Sequence, residues 1–423
     1  MSSTRNSKLE TRNFKRLALV VLGLLLVSQA PFACRRYRLG RLRAAVEGLN
    51  ARRLPAPPED PFEDYAGVFH VHSSLGGHSE GRPEEIVSAA ASNGLAFVVM
   101  TEHPAAGVNT AEATLRGPHG GVLFVGGSEL VARGGERLFV VPGFAQPPAA
   151  DSLPLPELIA RAKAEGRLAL LAYPEQLGEW PAGGYDGIEV YNLYTNAREI
   201  NYVRLFFDGL WSYAAHPDLL FATFYERPGG NLKRWDEVNA AGAARASAVA
   251  GNDAHANVGF DLAWPGGGKL FGVRLDPYER SFRVVRNHVL LRRGEPLSAE
   301  ALLEALRAGR SYIAFDLFGE AAGFRFQAEN ARGRKTMGEE ISLADGTVRL
   351  RARAPVECRL LFFRDGEVFA EAGGPSEKEL IIERPGVYRV EAYLDQLGSF
   401  LHGKPWIISN PIYVRQGAVA SSQ

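Results

Sequence analysis

Cysteine is nearly absent. Only Cys34 and Cys358 occur in 423 residues, too few for a disulfide scaffold or a thiolate metal site. Any metal must therefore be held by histidines and carboxylates. An excess of charge is missing too, since 48 Lys and Arg balance 48 Asp and Glu. That balance removes the easiest case for a nucleic-acid binder, which is normally basic, and no nucleic-acid partner is expected. Internal repeats and low-complexity tracts are also lacking, and so is a phosphate-cradling GxxxxGK[ST] loop, which argues against nucleotide hydrolysis of the P-loop kind. What remains is an ordinary globular composition, 46% hydrophobic and 23% charged, long enough for two to three domains of about 150 residues each.

One long apolar run exists. Leu17–Val27 (LALVVLGLLLV) is eleven residues, extended more weakly to Cys34 and preceded by Arg5, Lys8, Arg12, Lys15 and Arg16. Its length lies between a signal-peptide core of about 10–14 residues and a spanning helix of about 20. Ala30 and Ala33 offer small residues for cleavage, although Pro31 blocks cleavage directly after Ala30. Cys34 invites a lipoprotein reading that Pro31 and Phe32 fit poorly. Arg35, Arg36, Arg38, Arg41 and Arg43 follow, so positive charge flanks both sides and fixes no orientation. The expectation is a basic segment over 1–16, a signal peptide or membrane anchor over 17–34, and an Arg/Pro-rich linker over 35–63. Pro55, Pro57, Pro58 and Pro61 make the end of that linker a semi-rigid spacer. Membrane association or export follows, with the bacterial periplasm or cell envelope as the expected location. The neutral total hides a split. Residues 1–60 hold 12 Lys and Arg against 4 Asp and Glu, and the other 363 hold 36 against 44. The basic part suits anionic lipid headgroups.

Beyond the spacer, apolar runs alternate with helical patterns. Tyr65–Ser73, Leu95–Thr101, Val122–Gly126, Leu168–Ala172, Gly187–Tyr191 and Ala246–Ala250 read as strands. Pro83–Asn93, Pro154–Glu165 and Leu232–Ala241 read as helices. Continuous apolar strands alternating with helices indicate a parallel sheet covered by helices, and about seven such units favour barrel closure. After Phe315 the pattern changes to short strands separated by turns such as Asp365–Gly366 and Pro385–Gly386. These predict an immunoglobulin-like β-sandwich over 319–416, after a barrel domain over 64–318. The tail at 417–423 reads as disordered.

The chemistry-bearing residues gather at predicted strand ends. His70 and His72 share an i, i+2 relation, which on a regular strand places both on one face. His78 and Glu80 follow. Thr101-Glu102-His103, Gly127-Ser128-Glu129 and Asn252-Asp253-Ala254-His255 close three further strands. In parallel α/β folds functional groups collect at the carboxyl ends of strands. Imidazoles mixed with carboxylates suit Zn, Mn or Fe, and a bridging carboxylate can hold two ions close together. His119, His288 and His402 lack such context and read as structural or surface residues.

These four motifs, in this order, resemble the signature set of the PHP (polymerase and histidinol phosphatase) superfamily, most closely its stand-alone metal-dependent phosphoesterases and related hydrolases. The resemblance covers roughly residues 64–260. It implies a distorted seven-stranded α/β barrel with two, and up to three, divalent ions. It implies metal-ligand roles for His70, His72, His103, Glu129, Asp253 and His255, with Glu129 bridging and His78 as a further ligand. Pro385–Arg389 and Trp406–Tyr413 resemble the C-terminal sandwich appended to some of these hydrolases. Two departures stand out. Glu102 occupies a place usually held by Asp, and Tyr173 a place usually held by a ligand His. A neutral Tyr, with a pKa of about 10, is a poor ligand, so either the second metal is held differently, for instance through Glu175, or the site holds fewer ions than its relatives.

The function expected is metal-assisted hydrolysis of a small-molecule ester, a phosphoric ester first, with Asp253 as general base beside Glu129. No Ser or Cys near the clusters suggests a covalent nucleophile. The alternatives are a metal-binding but catalytically silent module, and a hydrolase of carboxylic or carbamate esters.

Overall fold

The computed structural model describes residues 3–181, 183–198, 201–242, 245–257, 259–263, 269–374 and 376–417. The expected disordered tail lies outside the described residues beyond Gly417. Seven strands close a barrel: β1 (Phe62–Val71), β2 (Phe97–Glu102), β3 (Val122–Val131), β4 (Arg137–Val141), β5 (Leu168–Ala172), β6 (Gly187–Asn192) and β7 (Ser247–Ala254). They pair in that order, and β7 returns to β1. β2, β5 and β7 are buried along their whole length, which is why they read as continuous apolar runs.

One strand departs from the parallel expectation. β4 runs antiparallel to both β3 and β5, while the other barrel pairs are parallel. Its five residues, RLFVV, follow directly on the turn at Gly134-Gly135. Only four of the five are apolar, between a charged pair and Pro142-Gly143, so the run carries little signal, and the hairpin was not legible.

β1 changes partner along its length. Phe62–Gly67 pairs antiparallel with strand Arg286–Arg292, and Gly67–Val71 pairs with β2 and β7. From Arg286–Arg292 the sheet continues through Ser311–Ala314 and Ile407–Ser409 into Gly386–Tyr393. The barrel and the trailing β-sandwich therefore share one sheet. The second sandwich layer contains Gly333–Thr336, Arg325–Asn330, Val348–Arg353 and Glu377–Ile382. In Val348–Arg353 the buried Val348, Leu350 and Ala352 alternate with exposed Arg349 and Arg351, the signature of a sheet with one wet face. Buried polar contacts join the bodies, those of Asn410 and Arg389 among them. Asn410 donates to the carbonyl of Ala248 at 3.1 Å and accepts from its N–H at 2.7 Å. Arg389 grips Asp236 through two nitrogens at 2.6 and 2.7 Å.

The N-terminal helix α1 spans Ser3–Asn50 and runs through Pro31. The stretch expected as a linker from 35 is thus helical to Asn50, with irregular chain only after it. Leu39, Leu42, Val46 and Leu49 form a stripe at helical spacing, and Leu39, Leu42 and Leu49 are buried against the body. The intervening arginines hid that stripe in the sequence. Before residue 28 the apolar run is solvent-facing, with none of its most apolar window buried.

Candidate metal centre

The site forms where β1, β3, β6 and β7 deliver polar side chains into an otherwise apolar barrel. His70 sits in a bulge of β1 with φ of +66°. Its ring lies 5.0 Å from that of His72, centroid to centroid, so the pair meets across a bulge rather than along a regular strand. Asp253 and Tyr173 also hold left-handed backbones, each with φ of +47°. Such conformations cost about 1–3 kcal/mol each and persist only where surrounding structure enforces them.

Two carboxylates organise the imidazoles. Glu129 Oε2 lies 3.0 Å from His70 Nε2, 3.3 Å from His72 Nε2 and 3.9 Å from His103 Nε2. Asp253 Oδ1 lies 3.2 Å from His70 Nε2, 3.6 Å from His72 Nε2 and 3.4 Å from His255 Nδ1. His72 is flanked by the rings of His103 and His255, stacked at 4.5 and 4.4 Å. Two groups bring their ligand atoms within 4.8 Å of one another, His70–His72–Glu129 and His72–His103–His255. They share His72.

His78 is exposed and stands edge-on to His103 at 4.8 Å. It joins neither group. Glu102 is buried and accepts from the Ser73 N–H, the Ser73 hydroxyl at 2.6 Å and the Thr114 hydroxyl at 2.7 Å. Its longer side chain ties down the loop after β1. Glu175 is exposed and bonded to Asn231, outside the cluster. Tyr173 is buried and donates its hydroxyl to Asp253 Oδ2 at 2.7 Å. Burial, reinforced by Asp253, Glu129 and Glu189, pushes this phenol far above its ordinary range, so it acts as a neutral donor that fixes Asp253.

Three participants escaped the sequence reading. Glu189, fully buried on β6, accepts from His70 Nδ1 at 2.6 Å. Asn192 donates to both Glu189 oxygens at 3.3 and 3.2 Å. Arg137 on β4 pairs with Glu129 Oε1 and lies over the Tyr173 ring at 5.1 Å. Glu189 had a signal, a carboxylate inside the apolar run GIEVYN, where charge is almost never buried unpaired. Arg137 had none, because its strand was not legible.

Electrostatics prepares the histidines unequally. Burial lowers His72 and His103 to about 4, leaving both neutral with lone pairs available near pH 7. Burial alone would also lower His70, but Asp253 and Glu189 hold it well above its ordinary value. Burial raises Glu189 to about 7 against the opposing pull of His70. With Glu189 holding Nδ1, the Nε2 of His70 faces the cluster, the carboxylate–histidine arrangement that orients metal ligands. A cation there competes with a proton.

The residues fit a divalent ion. His72 is 1% exposed, yet neither of its ring nitrogens completes a hydrogen bond, Nε2 only approaching Glu129 at 3.3 Å, and Asp253 Oδ1 is likewise buried without one, although it lies 3.2 Å from His70 Nε2. Leaving a buried polar atom unsatisfied costs about 1–3 kcal/mol, and ligation removes that cost. The donors are nitrogen and oxygen only, a set suited to Zn, Mn or Fe.

Fold and site together define a closed α/β barrel with a histidine–carboxylate cluster able to hold metal, followed by a β-sandwich. No family model matches the chain, and no curated protein matches it. Among solved structures, it is similar to a two-domain protein containing a predicted PHP-like metal-dependent phosphoesterase from Bacteroides vulgatus. Identity there is 14%, covering 85% of this chain and 98% of that one, with a TM-score of 0.40. It is also similar to PsfC from Pseudomonas syringae, at 16% identity over 60% of this chain and 92% of that one, with a TM-score of 0.35.

Proposed function

We propose that the chain is a membrane-anchored, metal-dependent hydrolase of phosphoric esters. One observation carries the reading: two adjacent donor groups converge on His72, a buried histidine whose ring nitrogens complete no hydrogen bond. The four ordered motifs and their resemblance to PHP phosphoesterases direct it toward phosphoric esters. His70, His72 and Glu129 would hold one ion, and His103 and His255 would hold a second beside Glu129, since the single lone pair of a neutral His72 serves one ion at a time. Asp253 Oδ1 then stays free next to them. His78, edge-on to His103, stands nearest as a further donor. Two bound divalent ions would supply Lewis acidity and bring the pKa of water from about 15.7 toward 7.

The protein's own groups do the rest. Asp253 accepts the proton of the attacking water at Oδ1, while Tyr173 and Asn192 hold Oδ2. Glu189 keeps His70 oriented through Nδ1. Arg137, partly exposed beside Glu129, offers its remaining N–H groups to an anionic substrate. α1 is read as a retained anchor, because Gln29, Phe32 and Arg35 all contact the body and cleavage after Ala30 or Ala33 would remove part of that contact. The body then lies outside the membrane in the cell envelope.

The silent-module reading has one supporting observation, the Arg137 guanidinium that occupies an oxygen of the expected bridging carboxylate. Turnover assays with p-nitrophenyl phosphate, bis-p-nitrophenyl phosphate and p-nitrophenyl acetate, on protein loaded in turn with zinc, manganese and iron, test the proposal. Turnover of a phosphate ester that is lost in Asp253→Ala is expected. Stoichiometric metal without turnover of any ester would favour the silent module, and turnover of the acetate alone would move the activity to carboxylic esters.

A further inference from the structure

A cavity of about 250 Å³ adjoins the metal centre, lined in part by Tyr194, Leu205, Phe221, Phe224 and Val284, with Asp253 in its wall. Tyr194 also faces His255 at 6.5 Å between ring centroids, so this apolar space and the candidate ligands are neighbours. Another wall of the cavity is the helix Tyr202–Ser212, whose Leu205 and Gly209 line it.

This helix has three faces. At 3.6 residues per turn, Leu205 and Gly209 look into the cavity. Phe207, Asp208 and Trp211 look at α1: Phe207 packs on Phe32 at 4.9 Å, Asp208 pairs with Arg35 at 2.6 Å, and Trp211 donates to Gln29 at 3.0 Å. The third face carries Tyr202, Val203, Phe206 and Leu210, which are 65–70% exposed. Four large apolar side chains on one exposed helical face mark an interaction surface. Its position identifies the occupant. The face lies beside the stretch of α1 around Gln29, directly after the solvent-facing run Leu17–Val27. Arg36, Arg38, Arg41 and Arg43, all exposed on the next turns of α1, supply the positive charge that anionic headgroups attract. An amphipathic helix flanked by basic residues at the foot of an apolar span is built to lie in the membrane interface.

We infer that helix Tyr202–Ser212 rests in the membrane surface and that the cavity behind it takes the apolar part of a lipid phosphate ester, presenting its phosphorus to the centre at Asp253. The inference rests on the anchored-hydrolase reading and names its substrate class. In the reaction, water oxygen bonds to phosphorus, the ester P–O bond breaks, and the lipid alcohol leaves carrying a proton; no oxidant or reductant is needed.

The test uses the full chain reconstituted in phosphatidylcholine vesicles doped with phosphatidic acid. A nitroxide at Val203→Cys, in a Cys34→Ser background, should report a lipid environment by its accessibility to oxygen. Phe206→Glu with Leu210→Glu, both exposed positions, should lower phosphatidic acid turnover about tenfold or more, from the loss of two apolar side chains that the membrane would cover, without a matching fall for soluble p-nitrophenyl phosphate. Gly209→Leu, where an added Cβ meets nothing within 4 Å, should fill the cavity and lower turnover of the lipid ester. A nitroxide in water, or lipid turnover unaffected by both variants, overturns the inference and leaves the hydrolase reading standing. Failure of the wild type to turn over either ester overturns the hydrolase reading and the substrate assignment, and the nitroxide alone then decides the membrane face.

Discussion

Gly251 shows how closely the centre is fitted. A Cβ at this position would lie 1.7 Å from Glu189 Oε1 and 3.0 Å from His70 Cβ. Gly251→Ala should therefore push Glu189 off His70, costing about 1–3 kcal/mol as overpacking does, and lower metal content. Urea unfolding together with elemental analysis checks both, and an unchanged midpoint would contradict the fit. Tyr173→Phe removes the shorter of two hydrogen bonds to Asp253 Oδ2 and leaves that from Asn192. It should fold, lose about 0.5–1.5 kcal/mol, and bind metal about 10–100-fold more weakly, as lost outer-shell partners do. Titration of the apo variant with zinc measures this, and unchanged affinity would reduce Tyr173 to a space-filler. At this scale the sequence was readable where polar residues ended apolar runs, as at His70, His103 and Asp253. The role of Glu102 was not readable, since its acceptor bonds to Ser73 and Thr114 depend on the path of the loop.

β1 works at both ends. Its upper half carries His70. Its lower half meets an ion cluster in which His288 lies between Asp64 Oδ1 at 2.7 Å and Asp316 Oδ2 at 3.1 Å, and Arg325 pairs with Asp60 and Asp64 at 2.7 and 3.1 Å. The cluster joins β1, strand Arg286–Arg292 and the first sandwich strand. Burial alone would lower His288, but Asp316 and Asp64 raise it from 6.5 to about 9. Because the folded value is the higher one, the stabilisation is complete below pH 6.5 and fades as pH rises through about 9. The urea midpoint of the wild type should fall across that window. In His288→Gln that fall should be absent, at a cost near neutral pH of about 3–5 kcal/mol for a broken buried pair. A parallel fall in both proteins would place the titrating group elsewhere. The sequence reading of His288 as structural or surface narrows to structural. Six of the seven barrel strands were legible because burial on both faces leaves a long apolar run. β4 failed that test because its apolar part is only LFVV, closed in by Glu136-Arg137 on one side and Pro142-Gly143 on the other.

For the molecule as a whole, the shared sheet matters more than the division into barrel and sandwich. Asn410 satisfies the backbone of Ala248 on β7, and Arg389 neutralises the buried Asp236 on helix Gly229–Ala240. A chain ending at 318 should therefore leave β7 with bare polar groups and Asp236 unpaired, and should be recovered unfolded; circular dichroism of the soluble fraction would show it, and a folded, soluble product would contradict the coupling. The charge split read from the sequence has a structural counterpart, a basic helix leaving an acidic body. Its inner part turned out to be packed helix because the Leu39–Leu49 stripe finds a partner surface that only the fold supplies. The central claim is that the barrel holds metal through His72, and elemental analysis of the full chain purified anaerobically tests it most directly. Stoichiometric transition metal in the wild type, lost in His72→Ala, is the predicted result. A wild type that stays metal-free after incubation with zinc, manganese and iron, or a His72→Ala variant that keeps the wild-type content, would contradict it.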